Sequence, residues 1–146
     1  MVEVEVRETK PYHVSLISKR IREGHKAEVL RFGANPRHDL FKTFCQSTFC
    51  DSWFANGRLM AISGVVGTLS SSCGWMWLAL DEKAMQYPRE ILTNCRRKIA
   101  SVLTTFESLE TVILMNDKAS ARLIEHLGFV KMAEHNGIGF YKIWRK

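Results

Sequence analysis

Apolar and polar positions recur along this chain with periods that define its elements. Residues 2–7 alternate valine with charge (Val2, Val4 and Val6 against Glu3, Glu5 and Arg7), the period of two of a half-buried strand that Pro11 closes. From residue 13 to 23, Val14, Leu16, Ile17 and Ile21 recur at helical spacing, with Gly24 as the stop. Asn35-Pro36 opens a second helix, asparagine serving as N-cap and proline fitting the first helical position, with a stripe of Leu40, Phe41, Phe44 and Phe49. Residues 52–55 then run through Asn56-Gly57 into residues 58–66. Asn-Gly between apolar runs predicts a hairpin, because a type I′ turn needs positive φ at both central residues. Residues 67–72 read as a loop. The nearly continuous apolar run 74–80 predicts a strand in the middle of a sheet, covered on both faces.

Pro88 begins a long amphipathic helix in which Ile91, Leu92, Cys95, Ile99, Val102, Leu103 and Phe106 share a face. Residues 111–115 form another apolar strand. Asp117 or Lys118 opens a short helix carrying Leu123, Ile124 and Leu127, ended by Gly128. Two last runs, 129–134 and 138–144, flank a His135-Asn136-Gly137 turn. The order β, α, α, β, β, β, α, β, α, β, β predicts an α/β fold with a mixed sheet, and the unit from 74 to 115 a right-handed crossover between parallel strands.

Composition narrows this reading. At 146 residues without repeat or linker the chain reads as a single domain over 1–146, and its 46% apolar and 25% charged content is that of a globular protein. No apolar run approaches the roughly 18 residues of a membrane span. No signal peptide is visible, so a cytoplasmic location is expected. The net charge of +6 favours polyanions in general, but its basic residues are dispersed, so specific nucleic-acid binding is not expected. Cys45, Cys50, Cys73 and Cys95 make no Cys-x-x-Cys and have no histidine at ligand spacing; no metal site is expected, and the thiols read as reduced and buried.

Candidate chemistry is sparse. His25, Glu28 and Asp51 fit the border of a substrate cleft but read more simply as surface groups. His126 reads as exposed, and Arg37, His38 and Asp39 as a surface turn of helix. Of Trp53, Trp75 and Trp77, at least two read as core rather than as a stacking patch. Ser70, Ser71, Ser72 and Cys73 lack the glycine pattern of a nucleophile elbow.

The segment Asn116-Asp-Lys-Ala-Ser120-Ala-Arg122-Leu-Ile-Glu-His-Leu-Gly128-Phe129, together with the element order, resembles the C-terminal signature of the GNAT superfamily of acyl-CoA-dependent N-acetyltransferases. That resemblance implies a mostly antiparallel mixed sheet with about four helices, its central parallel pair splayed at one end around acetyl-CoA. The backbone of Leu78, Ala79 and Leu80 would pair with pantetheine and polarise the thioester carbonyl, and the pyrophosphate would rest on the N-terminus of the long helix with help from Arg89 and Arg96. Asn116 at the strand end and Ser120 complete the expected cofactor set; Glu82, or water, and Asn116 are the expected catalytic groups.

Two departures from the superfamily pattern stand out. Its glycine-rich pyrophosphate loop corresponds here to residues 81–89, which contain no glycine; Asp81 and Glu82 would repel phosphate, Tyr87 crowds the loop and Pro88 removes a donor. The tyrosine that many members carry four residues before the Gly-Phe glycine is Ile124. Segments 62–66, 74–78, 88–92 and 116–129 also resemble a phage-encoded GNAT-like family that includes the internal virion protein of short-tailed phages. The preferred sequence reading is therefore a phage virion assembly or internal virion component with a degenerate acyl-CoA cleft, packaged in the particle and partnered by other virion proteins. The alternative is an active acetyl-CoA-dependent N-acetyltransferase acting on a small-molecule or protein amine.

Overall fold

The computed structural model describes residues 2–24, 26–27, 35–67 and 72–146. Seven strands form one sheet: β1 (Val4–Glu8), β2 (Ser47–Ala55), β3 (Arg58–Val66), β4 (Cys73–Leu80), β5 (Ser108–Leu114), β6 (Val130–His135) and β7 (Ile138–Trp144). Their spatial order is β1-β2-β3-β4-β5-β7-β6, and every neighbouring pair is antiparallel except β4 and β5. The apolar run of β4 thus occupies the centre, as its burial requires.

Local chemistry sets most boundaries. The β2–β3 and β6–β7 turns are Asn-Gly pairs with positive φ at Asn56 (51°), Gly57 (75°), Asn136 (50°) and Gly137 (75°), the backbone that a type I′ hairpin demands. Helix α2 (Pro36–Gln46) is capped by the Asn35 side chain, which accepts from the Arg37 and His38 N–H groups. Helix α3 (Pro88–Val102) starts with proline at N1, and α4 (Lys118–His126) is capped by Asp117. Gly128 follows α4 at φ 98°, turning Phe129 into the core.

Two apolar clusters cover the sheet. Ile91, Cys95, Ile99 and Val102 of α3 and Ile124 of α4 pack on one face with Trp53, Met60, Met76 and Leu109. Val14 and Ile17 of α1 (Pro11–Ser18) and Leu40 of α2 pack on the other with Leu59, Ile62, Trp77 and Ala79. Trp53 and Trp77 are core, whereas Trp75 stays 39% exposed. No helix among the described residues is long and apolar enough to cross a membrane.

Three boundaries differ from the periodicity. Pro11 starts α1 rather than closing β1, and the helix ends at Ser18 instead of residue 23. The cause is non-local: residues 20–22 lie across the end of β4, with Arg22 N–H donating to Leu80 O (2.8 Å) and Glu82 N–H to Arg20 O (2.6 Å) around an Ile21–Asp81 bridge. Phe49 belongs to β2, because α2 passes into the strand at Ser47 without a loop and the Thr48-Phe49 pair prefers extended backbone. Cys45 is exposed and Cys50 and Cys73 half-buried, so only Cys95 is a buried thiol.

Candidate active site

The parallel register of β4 with β5 covers only Cys73↔Ser108, Gly74↔Leu109 and Trp75↔Glu110. Beyond it the strands diverge and leave a wedge that opens a cavity of about 280 Å³. Because Asp81 N–H donates to Met60 O of β3 (2.8 Å), strand alternation turns the even-numbered residues of β4 the other way, toward the wedge. Leu80 gives its C=O to Arg22. The N–H and C=O of Leu78 and the N–H of Leu80 therefore face the gap with no β5 partner. Ala79 sits in the opposite phase: its backbone pairs with β3 at Ile62, and its methyl lies in the α1–α2 cluster.

The cavity is lined from both faces of the sheet. Cys95, Leu123, Ile124 and Leu127 wall it on the α3–α4 side; Asp39, Leu40 and Thr43 of α2 reach it on the other, with Trp75 and Trp77 between. Burial pushes the Cys95 thiol up to about 12, so it lines the wall as a neutral apolar group. Arg22 ion-pairs with Asp117 and donates to Ser120 Oγ (2.7 Å), while Ser120 Oγ donates to Asp117 (2.7 Å). Asp39 has no side-chain partner among the described residues, and with Arg22 spent on Asp117 the described lining carries one negative charge in excess.

Burial by itself would push the Asp117 carboxyl up, but hydrogen bonds from Ser120 and Arg22 and the guanidinium charge outweigh it and hold the group below its ordinary value. A lowered folded-state value stabilises the fold above the unfolded value near pH 4, and that contribution is lost as pH falls through the folded value. Asp117→Asn is thus expected to cost about 1–2 kcal/mol at neutral pH, a difference from wild type that closes below about pH 4. Urea melts of both proteins across that range check it; a gap that persists in acid rejects the ion pair as its source.

Of the sequence candidates, Leu78, Leu80 and Ser120 line the cavity. Asn116 lies in the exposed turn after β5, one residue before the cap that does face inward. Glu82 is exposed beyond the end of β4, where only its backbone is held, by Arg20. Arg89 and Arg96 are exposed on α3, seven residues and hence roughly 10 Å apart along the axis. Asp81 does not face a phosphate path. It is fully buried, ion-paired to Arg20 (3.1 Å) and Arg58 (3.0 Å), and it accepts the Lys83 N–H (3.0 Å). Asp51 is in β2, paired with Lys98. His126 is exposed. His25, Glu28, Ser70 and Ser71 lie outside the described residues. Arg22 and Asp39 were hidden from sequence reasoning, since one sat in a presumed helix end and the other in a surface turn; the Asp117-x-x-Ser120 capping pattern was the one readable signal.

A seven-stranded, mostly antiparallel sheet with a splayed central parallel pair and four α-helices among the described residues is the GNAT fold. Neither a protein-family model nor a curated protein matches the sequence. Solved structures do match. An acetyltransferase of the GNAT family from Bacillus anthracis aligns at a TM-score of 0.71 with 9% identity, over 99% of this chain and 96% of its own. Spermidine N-acetyltransferase from Vibrio cholerae, in complex with CoA and spermine, aligns at 0.70 with 9% identity over 97% and 95%. AAC(6')-Ib, in complex with ribostamycin and coenzyme A, aligns at 0.72 with 11% identity over 98% and 94%. At such identities the likeness establishes the fold.

Proposed function

We propose that this chain transfers an acyl group from a pantetheine thioester, acetyl-CoA being the donor suggested by the fold neighbours, to an amine. The observation that carries the reading is the early end of β4–β5 pairing, which leaves the Leu78 backbone unpaired among the described residues, beside an apolar-walled cavity. The group fits there: an extended arm with two amides pairs with an open strand edge as an added strand does. When bound, the thioester supplies an activated acyl carbon. The N–H groups of Leu78 and Leu80 hold the arm and its carbonyl oxygen, an oxyanion-type role. Leu123, Ile124 and Leu127 exclude water, and Ser120 with Arg22 and Asp117 keeps that wall rigid. Asp39 offers its carboxylate to the acceptor from the opposite face, where it attracts a cationic amine and takes the proton that the nitrogen must lose before it attacks the acyl carbon and expels the thiolate.

Calorimetric titration with acetyl-CoA tests this. Micromolar binding that Leu123→Trp abolishes by filling the cavity, and that Asn116→Ala leaves unchanged, is the expected result. Absence of heat at millimolar cofactor overturns the reading. A second reading, a phage virion component that keeps the scaffold without the chemistry, draws on two features: a glycine-free loop after β4 and Ile124 in the cavity wall. The comparisons lend it nothing, since the neighbours described are acetyltransferases.

A further inference from the structure

We propose that the chain recognises its acyl donor through the pantetheine arm and makes no specific contact with the nucleotide diphosphate, an inference that rests on the acyltransferase reading. A pyrophosphate cradle needs several backbone N–H groups that are free and converge on the anion. Between β4 and α3 all of those groups except the Met85 N–H are already committed. The Asp81 N–H donates to Met60 O (2.8 Å), that of Glu82 to Arg20 O (2.6 Å) and that of Ala84 to Asp81 O (2.9 Å). Lys83 N–H donates to the Asp81 carboxylate (3.0 Å), Gln86 N–H to Lys83 O (3.1 Å) and Tyr87 N–H to Ala84 O (2.9 Å). Pro88 has no N–H to give.

The first turn of α3 leaves the Arg89 and Glu90 N–H groups uncapped by Tyr87, but it is occupied in charge. Glu90, 7% exposed in the first helical turn, accepts the Val2 N–H at its carboxylate (3.0 Å). An anion approaching this end meets that fixed negative charge, which already complements the helix dipole. Asp81, the one side chain that anchors the turn, is locked by Arg20 and Arg58, so the turn cannot release its donors without breaking a buried ion-pair network. In the wedge the situation is reversed. The donors at Leu78 and Leu80 are open, and the walls are apolar. Recognition therefore ends where the arm ends. The shared chemistry is an acyl-pantetheine thioester, carried either on coenzyme A or on a carrier protein.

The test compares three probes by calorimetry on the full chain: coenzyme A, pantetheine and 3′-phosphoadenosine 5′-diphosphate. Pantetheine and coenzyme A are expected to bind within about threefold of each other, and the nucleotide to give no heat at millimolar concentration. Affinity for coenzyme A should change by less than about twofold between roughly 0.05 and 0.5 M salt, and the double variant Lys83→Glu/Arg89→Glu should leave it unchanged. A preference for coenzyme A of about tenfold or more, or clear nucleotide binding, overturns the inference while leaving the acyltransferase reading intact. Failure of all three probes overturns both. A holo carrier protein that binds about tenfold tighter than pantetheine supports the inference with a protein-borne arm as the source; equal affinity supports it with a free thioester.

Discussion

Asp81→Ala is expected to destabilise the chain by about 3–4 kcal/mol, which for a domain of this size lowers the melting temperature by about 10 °C. The carboxylate is fully buried and faces two guanidiniums, Arg20 at 3.1 Å and Arg58 at 3.0 Å, whose side chains are 25% and 35% exposed. Truncation leaves both cations in a partly dry setting with no counter-charge, and removes the acceptor of the Lys83 N–H. The partial exposure of the arginines lets water recover some of the loss, which places the cost at the lower end for a broken buried pair. A contrasting ion pair calibrates the argument: Glu5 meets Arg7 at 2.8 Å, but their side chains are 61% and 52% exposed. Glu5→Ala should leave stability unchanged, because solvent screens that pair. Urea unfolding of both variants with unchanged slope reads the difference. A wild-type midpoint for Asp81→Ala would remove Asp81 from its place as the tie between residues 20–22, β3 and the turn after β4.

How far the sequence discloses this architecture depends on whether a boundary is set locally. Asn56-Gly57, Asn136-Gly137, Asn35-Pro36 and Pro88 all mark ends that the structure keeps, since each works through the φ or the capping group of the residues themselves. The parallel pairing of β4 with β5 was also legible, because an apolar strand, a long helix and a second apolar strand permit little other than adjacent parallel strands, whereas their splay was implied only by the family resemblance. The end of α1 was not. Helical periodicity runs through Ile21, and only pairing with residues 80–82, about 60 positions away, pulls that segment out of the helix. The same contact explains why Asp81 read as a loop charge and Arg22 as nothing in particular: their partners are distant in sequence. Among the site residues, identity was less legible than location. Asn116 and Glu82 each lie one residue from an inward-facing aspartate, and a single step at a turn or strand end reverses where a side chain points.

Ile124→Tyr is expected to raise turnover by at least about tenfold with little change in KM for the donor. Ile124 is 5% exposed, lines the cavity from α4 and lies four residues before Gly128. Isoleucine offers no proton there, so under the acyltransferase proposal a departing thiolate is left to water that the apolar wall keeps scarce. A phenol at this position has an ordinary value near 10 and a thiol near 8.5, which makes the hydroxyl a weak but positioned donor. General acids in optimised sites contribute about 10²–10⁴-fold, and an unsupported tyrosine should reach the lower part of that range or just beneath it. Space permits the exchange, because the cavity of about 280 Å³ adjoins the side chain. Ile124→Phe supplies the same ring without the hydroxyl and separates acid catalysis from a change of shape. A gain in kcat for tyrosine alone, lost as pH rises through the ionisation of the phenol, identifies proton delivery to the leaving group as what the native wall lacks. Equal rates for the two aromatic variants would show that protonation of the thiolate does not limit the reaction.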